Sequence, residues 1–322
     1  MVAVTQEFTE ITVVGEDDTG LIANVTSLLF ERGINIEDLD QAVREGVFRM
    51  SMRVDTTEMV CTREKLRADL AELGEKLGVD MQVRFPADRE TRQIAVLVTK
   101  ESHCLEAIFE AWASGRLDAD VSVVIGNHPD LESLASQYEV PFHDIGDEKG
   151  TPDEEQLLDL LAEYDADLIV LARYMRILSP DVVFRYQSRI INVHPSLLPS
   201  FPGAEAYLQA LEEGVRIAGV TAHYVTTDLD QGPVITQRAF NVPADADMED
   251  LERLGQPLEA DALLEAIDLH LADELAVHRG RTQLRDPETT DAQLGAPPAL
   301  DERNPDRPID GLGEIVADRS GE

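Results

Sequence analysis

Lysine is almost missing from this chain, which carries it only at Lys65, Lys76, Lys100 and Lys149. Cations of both kinds number 27 against 64 Asp and Glu, for a formal net charge of −37. So little positive charge excludes a surface that attracts nucleic-acid phosphates or anionic lipid. Cysteine is equally scarce. Cys61 and Cys104 are too few for a disulfide framework and lack metal-ligand spacing, so a reducing compartment is expected. Long apolar runs are also missing: none approaches the roughly 20 residues that cross a bilayer. No early stretch joins a basic start, an apolar run and a small-residue cleavage site. The expectation is a cytoplasmic protein with neither a nucleic-acid nor a membrane partner.

What the chain has in excess is carboxylate. Densely placed Asp and Glu stay hydrated and screened in a salt-rich cytoplasm, and an acidic, halophilic surface is the reading preferred to an acidic interaction surface. With 322 residues there is enough chain for two or more packed domains.

The apolar pattern changes along the chain. Residues 1–85 read as strand, helix, strand, strand, helix, strand: Phe8 to Val14, Gly20 to Arg32, Ile34 to Val43, Val47 to Val54, Arg63 to Leu77 and Val79 to Phe85. The two middle strands form a hairpin around Glu45-Gly46, and the whole is a ferredoxin-like βαββαβ order. Residues 86–92 are polar and aperiodic, as a linker would be. From Gln93 to Leu284, short apolar runs alternate with helical stretches. Ile94 to Val98, Val121 to Ile125, Leu168 to Leu171 and Ile190 to Val193 suit strands of a mostly parallel, Rossmann-like sheet covered on both faces. Gly219 to Val225 and Val234 to Phe240 are two further strands, and a helix is expected from Glu259 to His278. Residues 285–322 lose the pattern and collect prolines among acidic residues, which predicts a disordered tail.

Chemistry concentrates between Ile190 and Gly232. Asn192 and His194 share one side of a strand end, and open α/β sheets bind ligands beyond the carboxyl ends of their strands. A second segment, Thr221 to Pro233, runs from a strand into a loop carrying Asp228 and Asp230. An amide donor, an imidazole and a carboxylate are the parts needed for acyl transfer or hydrolysis. On spacing alone, however, Asn and His can cap a turn and Asp230-Gln231-Gly232-Pro233 can be one. His128, in Asn127-His128-Pro129-Asp130, reads as a turn residue.

Taken together, Ile191-Asn192-Val193-His194-Pro195-Ser196-Leu197-Leu198-Pro199, Thr221-Ala222-His223-Tyr224-Val225 and Leu229-Asp230-Gln231-Gly232-Pro233 resemble the core signature of the 10-formyltetrahydrofolate-dependent formyltransferase family. The resemblance implies Asn192, His194 and Asp230 as catalytic residues, with Thr221 and His223 in support. Ala172-Arg173-Tyr174-Met175-Arg176-Ile177-Leu178-Ser179 resembles the family's folate-binding turn. It implies a folate pocket of Arg176, Ile177 and Leu178, faced by the loop from Val225 through Asp228 to Asp230. No metal or redox cofactor is implied, since the folate is itself the substrate.

The acceptor is read elsewhere. Family members that formylate glycinamide ribonucleotide hold its phosphate on a glycine-rich loop after the first strand. Here Thr99-Lys100-Glu101-Ser102-His103-Cys104-Leu105 has no glycine, and Glu101 repels phosphate. The segment resembles the branch that passes the formyl group to water, where Ser102, His103 and Cys104 would line the acceptor pocket; a helix-start cap is the alternative for His103 and Cys104. The first domain resembles an ACT domain, with Asp17-Asp18-Thr19-Gly20-Leu21-Ile22-Ala23 as its ligand loop, and the hydrolytic branch carries such a domain. Asp18, Gly20, Leu21 and Ile22 are the implied effector contacts, for glycine or methionine at a subunit interface of a homo-oligomer; simple dimerisation is the alternative. One departure is Pro195, which stands where the hydrolytic branch commonly has a second histidine. Hydrolysis to tetrahydrofolate and formate is the expectation, ahead of formyl transfer to glycinamide ribonucleotide or another amine, and of a sensor that has lost its chemistry.

If the acidic surface is an adaptation to salt, the thermal midpoint rises steeply with KCl. Melts followed by circular dichroism across a KCl series check this, and a midpoint that does not move contradicts it.

Overall fold

Two large sheets and one two-stranded ribbon make up the β structure, and the boundary between the large sheets falls where the apolar periodicity changes. The computed structural model describes residues 7–44, 46–85, 91–278 and 280–284. Glu45 of the expected hairpin, most of the expected linker and the expected tail lie outside them.

The first sheet holds β1 (Phe8–Glu16), β2 (Asn35–Arg44), β3 (Val47–Asp55) and β4 (Val79–Arg84), with α1 (Leu21–Glu31) and α2 (Arg63–Leu77) between strands. Its order is β2-β3-β1-β4, antiparallel throughout. Period-two alternation points Phe48, Met50, Met52 and Val54 of β3, and Ile11 and Val13 of β1, at one face. There they meet Leu21, Val25 and Leu29 of α1 and Leu66 and Leu70 of α2. Thr62 caps α2 by accepting from the Lys65 amide, and Gly78, in the left-handed region, ends it.

The second sheet takes β5 (Arg92–Val98), β6 (Ala119–Gly126), β7 (Phe142–Asp144), β8 (Leu168–Ala172), β9 (Ile190–His194), β10 (Ile217–Tyr224) and β11 (Val234–Asn241). The order is β11-β10-β9-β8-β5-β6-β7. The five strands from β7 to β9 are parallel, while β10 and β11 run antiparallel. Six helices lie between or after these strands: α3 (His103–Ala113), α4 (Glu132–Gln137), α5 (Glu154–Glu163), α6 (Pro180–Arg185), α7 (Ala206–Glu212) and α8 (Met248–Leu271). Alternate strand residues feed opposite cores. Val96, Val98, Val170, Ile191 and Val193 pack with α3 and α8. Ala95, Leu97, Ile169, Leu171 and Ile190 pack with α5 and α6. This is the expected α/β sheet covered on both faces.

Three features depart from the sequence-based expectation. β7 is only three residues long and shows no period. The helix expected from Glu259 to His278 spans Met248–Leu271 instead, and Leu275–His278 is a strand, β12, paired with β13 (Arg281–Leu284). Pro257 hides the amino-terminal half of α8, because an interior proline removes a backbone donor and reads as a helix stop. Here a capping box between Asp247 and Asp250 starts the helix at Met248, eleven residues before the expected Glu259.

Charged groups join the two sheets. Arg84 at the end of β4 donates to Asp167 at 2.6 Å and to Glu10 of β1 at 2.8 Å. Asp167, 2% exposed, also accepts the amide of Gln93 in β5. Such an anion is tolerated inside only because these donors satisfy it. Nearby, His270 of α8 shares a 2.8 Å hydrogen bond with the Tyr224 hydroxyl. Burial pulls the His270 imidazole down to about 4, with the charge on Glu10 only partly opposing this. The folded pKa lies below the unfolded value of 6.5, so added protons favour the unfolded chain. Above pH 6.5 both states are neutral and nothing is lost; stability falls as the pH drops from 6.5 towards 4. His270→Gln keeps an acceptor for Tyr224, and it should flatten that part of the stability-pH curve in denaturant melts relative to wild type.

Candidate active site

β9 presents Asn192 and His194 on one face while Ile191 and Val193 anchor the other in the core. The antiparallel register with β10 sets Asn192 opposite His223 and His194 opposite Thr221. Asn192 Nδ2 lies 3.2 Å from His223 Nε2, and His223 Nδ1 lies 2.9 Å from the Tyr224 carbonyl. A carbonyl only accepts, so Nδ1 carries the proton and Nε2 accepts from Asn192. Burial of His223 lowers its pKa and keeps the ring in this neutral form. The amide of Asn192 is thereby fixed, with one N–H on His223 and the other available.

The loop after β10 brings in the carboxylate. Asp230 Oδ2 accepts the Gly203 amide at 2.7 Å and lies 3.5 Å from His194 Nδ1, while Oδ1 lies 3.8 Å from His223. His194 Nε2 donates to the Phe201 carbonyl at 2.9 Å. Each nitrogen of His194 therefore faces an oxygen acceptor. Asp230 has φ +53°, and three more non-glycine residues here share the left-handed region: Arg173 at +60°, Phe201 at +54° and Glu205 at +57°. Three of these, Arg173, Glu205 and Asp230, line one cavity, as expected of a site that over-determines its side chains.

That cavity, about 340 Å³, is lined by Asn192, His194, His223 and Asp230. The other expected residues fall into two groups. Arg176, Ile177, Leu178 and Val225 line it as well. Thr221, by contrast, is fully buried behind it: its hydroxyl donates to the Ser196 carbonyl at 2.7 Å and accepts from the Leu198 amide at 3.0 Å. It pins the chain leaving β9, which includes the cis Leu198-Pro199 bond. Asp228 is exposed and lies 3.9 Å from Arg44 of β2. Asp18, Gly20, Leu21 and Ile22 sit at the start of α1, far along the chain, where Gly20 takes φ +89° and Leu21 is buried.

The acceptor-pocket expectation needs the largest adjustment. Glu101 lines the cavity; Ser102, His103 and Cys104 do not. Cys104 is fully buried, and burial followed by the nearby Glu259 charge pushes its thiol well up. His103 stands behind Glu259, 3.1 Å from its Oε2. Glu259 of α8, 1% exposed, was missed from the sequence. It also accepts the Tyr207 hydroxyl at 2.6 Å and lies 3.5 Å from Arg173. Burial alone would raise its pKa; the hydrogen bond from His103 and the Arg173 charge bring it below the usual range. The available signal was an acid on the buried stripe of a helix beside Gly255 and Ala262. Gly255 matters because a Cβ there would sit 1.8 Å from the Tyr207 hydroxyl oxygen. The ligand atoms of His103, Cys104 and Glu259 lie within 4.8 Å of one another, a spacing that could hold a metal. The carboxylate is nonetheless already satisfied by Tyr207, His103 and Arg173, which leaves it poorly placed to bind a cation as well.

Comparison with known proteins agrees with this geometry over both sheets. A formyl transferase family model matches residues 92–267 and an ACT domain model residues 8–84. A crystallised glycinamide ribonucleotide transformylase 1 from Symbiobacterium toebii has a TM-score of 0.58 and 35% identity, but its match covers only 61% of this chain and 95% of that one. A formyltetrahydrofolate deformylase structure from Pseudomonas syringae spans 88% of this chain and 96% of its own, with a TM-score of 0.59 and 29% identity. The Bacillus subtilis formyltetrahydrofolate deformylase is 38% identical over 271 residues, 83% of this chain and 90% of that protein. Because these relatives match across both the antiparallel and the parallel sheet, the chain belongs to the formyltetrahydrofolate deformylase family.

Proposed function

We propose that this enzyme hydrolyses 10-formyltetrahydrofolate to tetrahydrofolate and formate, with Asn192, His194 and Asp230 as its catalytic residues. The observation that carries the reading is the joining of these three groups in one cavity whose neighbouring loop has no glycine and contributes Glu101 to the lining. After β5 the Thr99 hydroxyl donates to Asn127 at 2.8 Å and accepts the Met175 amide at 2.9 Å, and Glu101 faces the cavity. The Thr99 hydroxyl thus stitches the loop to its neighbours, and the loop turns a carboxylate to the cavity where an anion would need donors.

The chemistry balances with the chain's own groups. His194, with Asp230 beside its Nδ1, takes a proton from a water as the water's oxygen attacks the formyl carbon. The free N–H of Asn192 and the protonated His194 stabilise the oxygen that becomes negative. The proton then passes to N10 of the folate as the carbon–nitrogen bond breaks, releasing formate. No metal or redox cofactor enters this route. His223 is a positioning residue that orients Asn192, and Thr221 positions the loop beyond β9. The folate ring rests against Arg176, Ile177, Leu178 and Val225, and the enzyme works in the cytoplasm.

In an assay at high salt with 10-formyltetrahydrofolate and no added acceptor, tetrahydrofolate and formate should appear in equal amounts. Turnover that requires an added amine would sink the hydrolytic reading. His194→Ala and Asp230→Asn should each lower kcat by at least about a hundredfold with the melting curve retained. Near-wild-type rates would remove these residues from the mechanism.

The ACT domain is proposed to bind glycine or methionine at Asp18, Gly20, Leu21 and Ile22, with the loop amides holding the ligand carboxylate, in a homo-oligomer. Calorimetry with each amino acid should give binding heat and a change in turnover; silence from both would leave the domain a dimerisation module only.

A further inference from the structure

The mechanism makes no use of the most heavily charged wall of the cavity. Four glutamates line it in addition to Asp230: Glu101, Glu205, Glu252 and Glu259. Two guanidiniums face them. Arg176 directs Nε and Nη2 to the carbonyls of Gly150 and Lys149 at 2.8 and 2.9 Å. Arg173 is gripped from both sides. Its Nε and Nη2 donate to the two oxygens of Glu101 at 3.0 and 2.9 Å, a bidentate pair, and its Nε lies 3.5 Å from Glu259 Oε2. The arginine is 13% exposed, so this pairing is made largely out of water. Glu259 in turn cannot swing away, being held by Tyr207 at 2.6 Å and His103 at 3.1 Å, with Gly255 leaving room for the tyrosine.

An anion entering here meets two carboxylates for one guanidinium, and that guanidinium already gives its Nε and one Nη2 N–H to Glu101. Placing a further negative charge in such a site costs both desolvation and repulsion. A water pays neither penalty. Resting on the hydrolytic reading above, we propose that Glu101 and Glu259 are acceptor-discriminating residues: they occupy Arg173, which would otherwise capture the phosphate of an anionic acceptor, and so reserve this end of the cavity for water. The discrimination lies in the pairing of a cation that is present, and not only in the missing glycine loop.

The test uses the full chain at constant ionic strength, with KCl replaced stepwise by potassium phosphate. Wild-type turnover should be unchanged by phosphate. Glu101→Gln and Glu259→Gln keep the shape of the side chain and lose its charge, and each should become inhibited, with a phosphate inhibition constant at least roughly tenfold lower than that of wild type. Calorimetric titration with inorganic phosphate should show binding in the variants that wild type lacks, and adding Arg173→Ala to Glu101→Gln should abolish it. Glu101 is half-exposed, so Glu101→Gln remains decisive if the buried Glu259→Gln fails to fold. Folded variants as indifferent to phosphate as wild type would overturn the proposal. So would wild type that is already inhibited as strongly, or phosphate binding that survives the loss of Arg173. If wild type hydrolysed nothing without an amine, the hydrolytic reading would fall, while the calorimetric arm would still decide whether Glu101 and Glu259 keep anions from Arg173.

Discussion

The register between β9 and β10 is the constraint on which the site depends. Side chains in a strand alternate faces, so a slip of one residue would bury Asn192 and His194 in the core and turn Ile191 and Val193 towards the ligand. The apolar partners on both faces forbid that slip: Ile191 and Val193 are locked under α3 and α8, and Ile190 packs on the opposite side. With the register held, Asn192 must face His223 and His194 must face Thr221. Thr221 then uses its hydroxyl to fix the chain leaving β9. The reversal of direction at β10 also delivers the loop that bears Asp230 to the carboxyl end of β9.

Carboxylates are the chain's commonest charged group, yet the few that are buried are treated individually. Asp167 has Arg84 and a backbone amide, Asp230 has the Gly203 amide with His194 beside it, and Glu259 has a phenol, an imidazole and a guanidinium. Each set of donors offsets a desolvation cost that would otherwise expel the charge or protonate it. The surface carboxylates need no such sets, because water and salt screen them. One residue type therefore serves two purposes, separated by burial.

The two sheets are joined by the same currency of charge. Glu10 of β1 reaches Arg84 and Arg189, and Arg189 immediately precedes β9. At the other end, Arg44 at the tip of β2 donates to Thr227 in the loop that carries Asp230, while Gly46 beyond it accepts the Asp17 amide. The antiparallel sheet thus touches the strand and the loop that build the cavity, through polar contacts that are weaker and more easily rearranged than a shared apolar core.

Much of this was readable from residues in order. Alternating and continuous apolar runs located both sheets, because burial on one face or two writes its period into the chain. The motifs around Asn192, His194 and Asp230 pointed to formyl chemistry through their resemblance to a known family, while strand alternation and spacing alone left a turn or a cap equally open. α8 was only half legible, because Pro257 carries a local stop signal that its capping box and packing override. Glu259, Tyr207, Arg173 and Glu101 were not legible as a unit. They come from four separate segments, with Tyr207 and Glu259 fifty-two positions apart, and nothing local distinguishes a glutamate that will be buried against a tyrosine from dozens that stay in water. By itself the sequence determined which elements form and which groups can do acyl chemistry, since both depend on neighbours along the chain. Which carboxylates lie in the cavity, and which cation they occupy, was decided only by the packing of α3, α7 and α8 against the sheet, because hydrogen bonds and desolvation act through space.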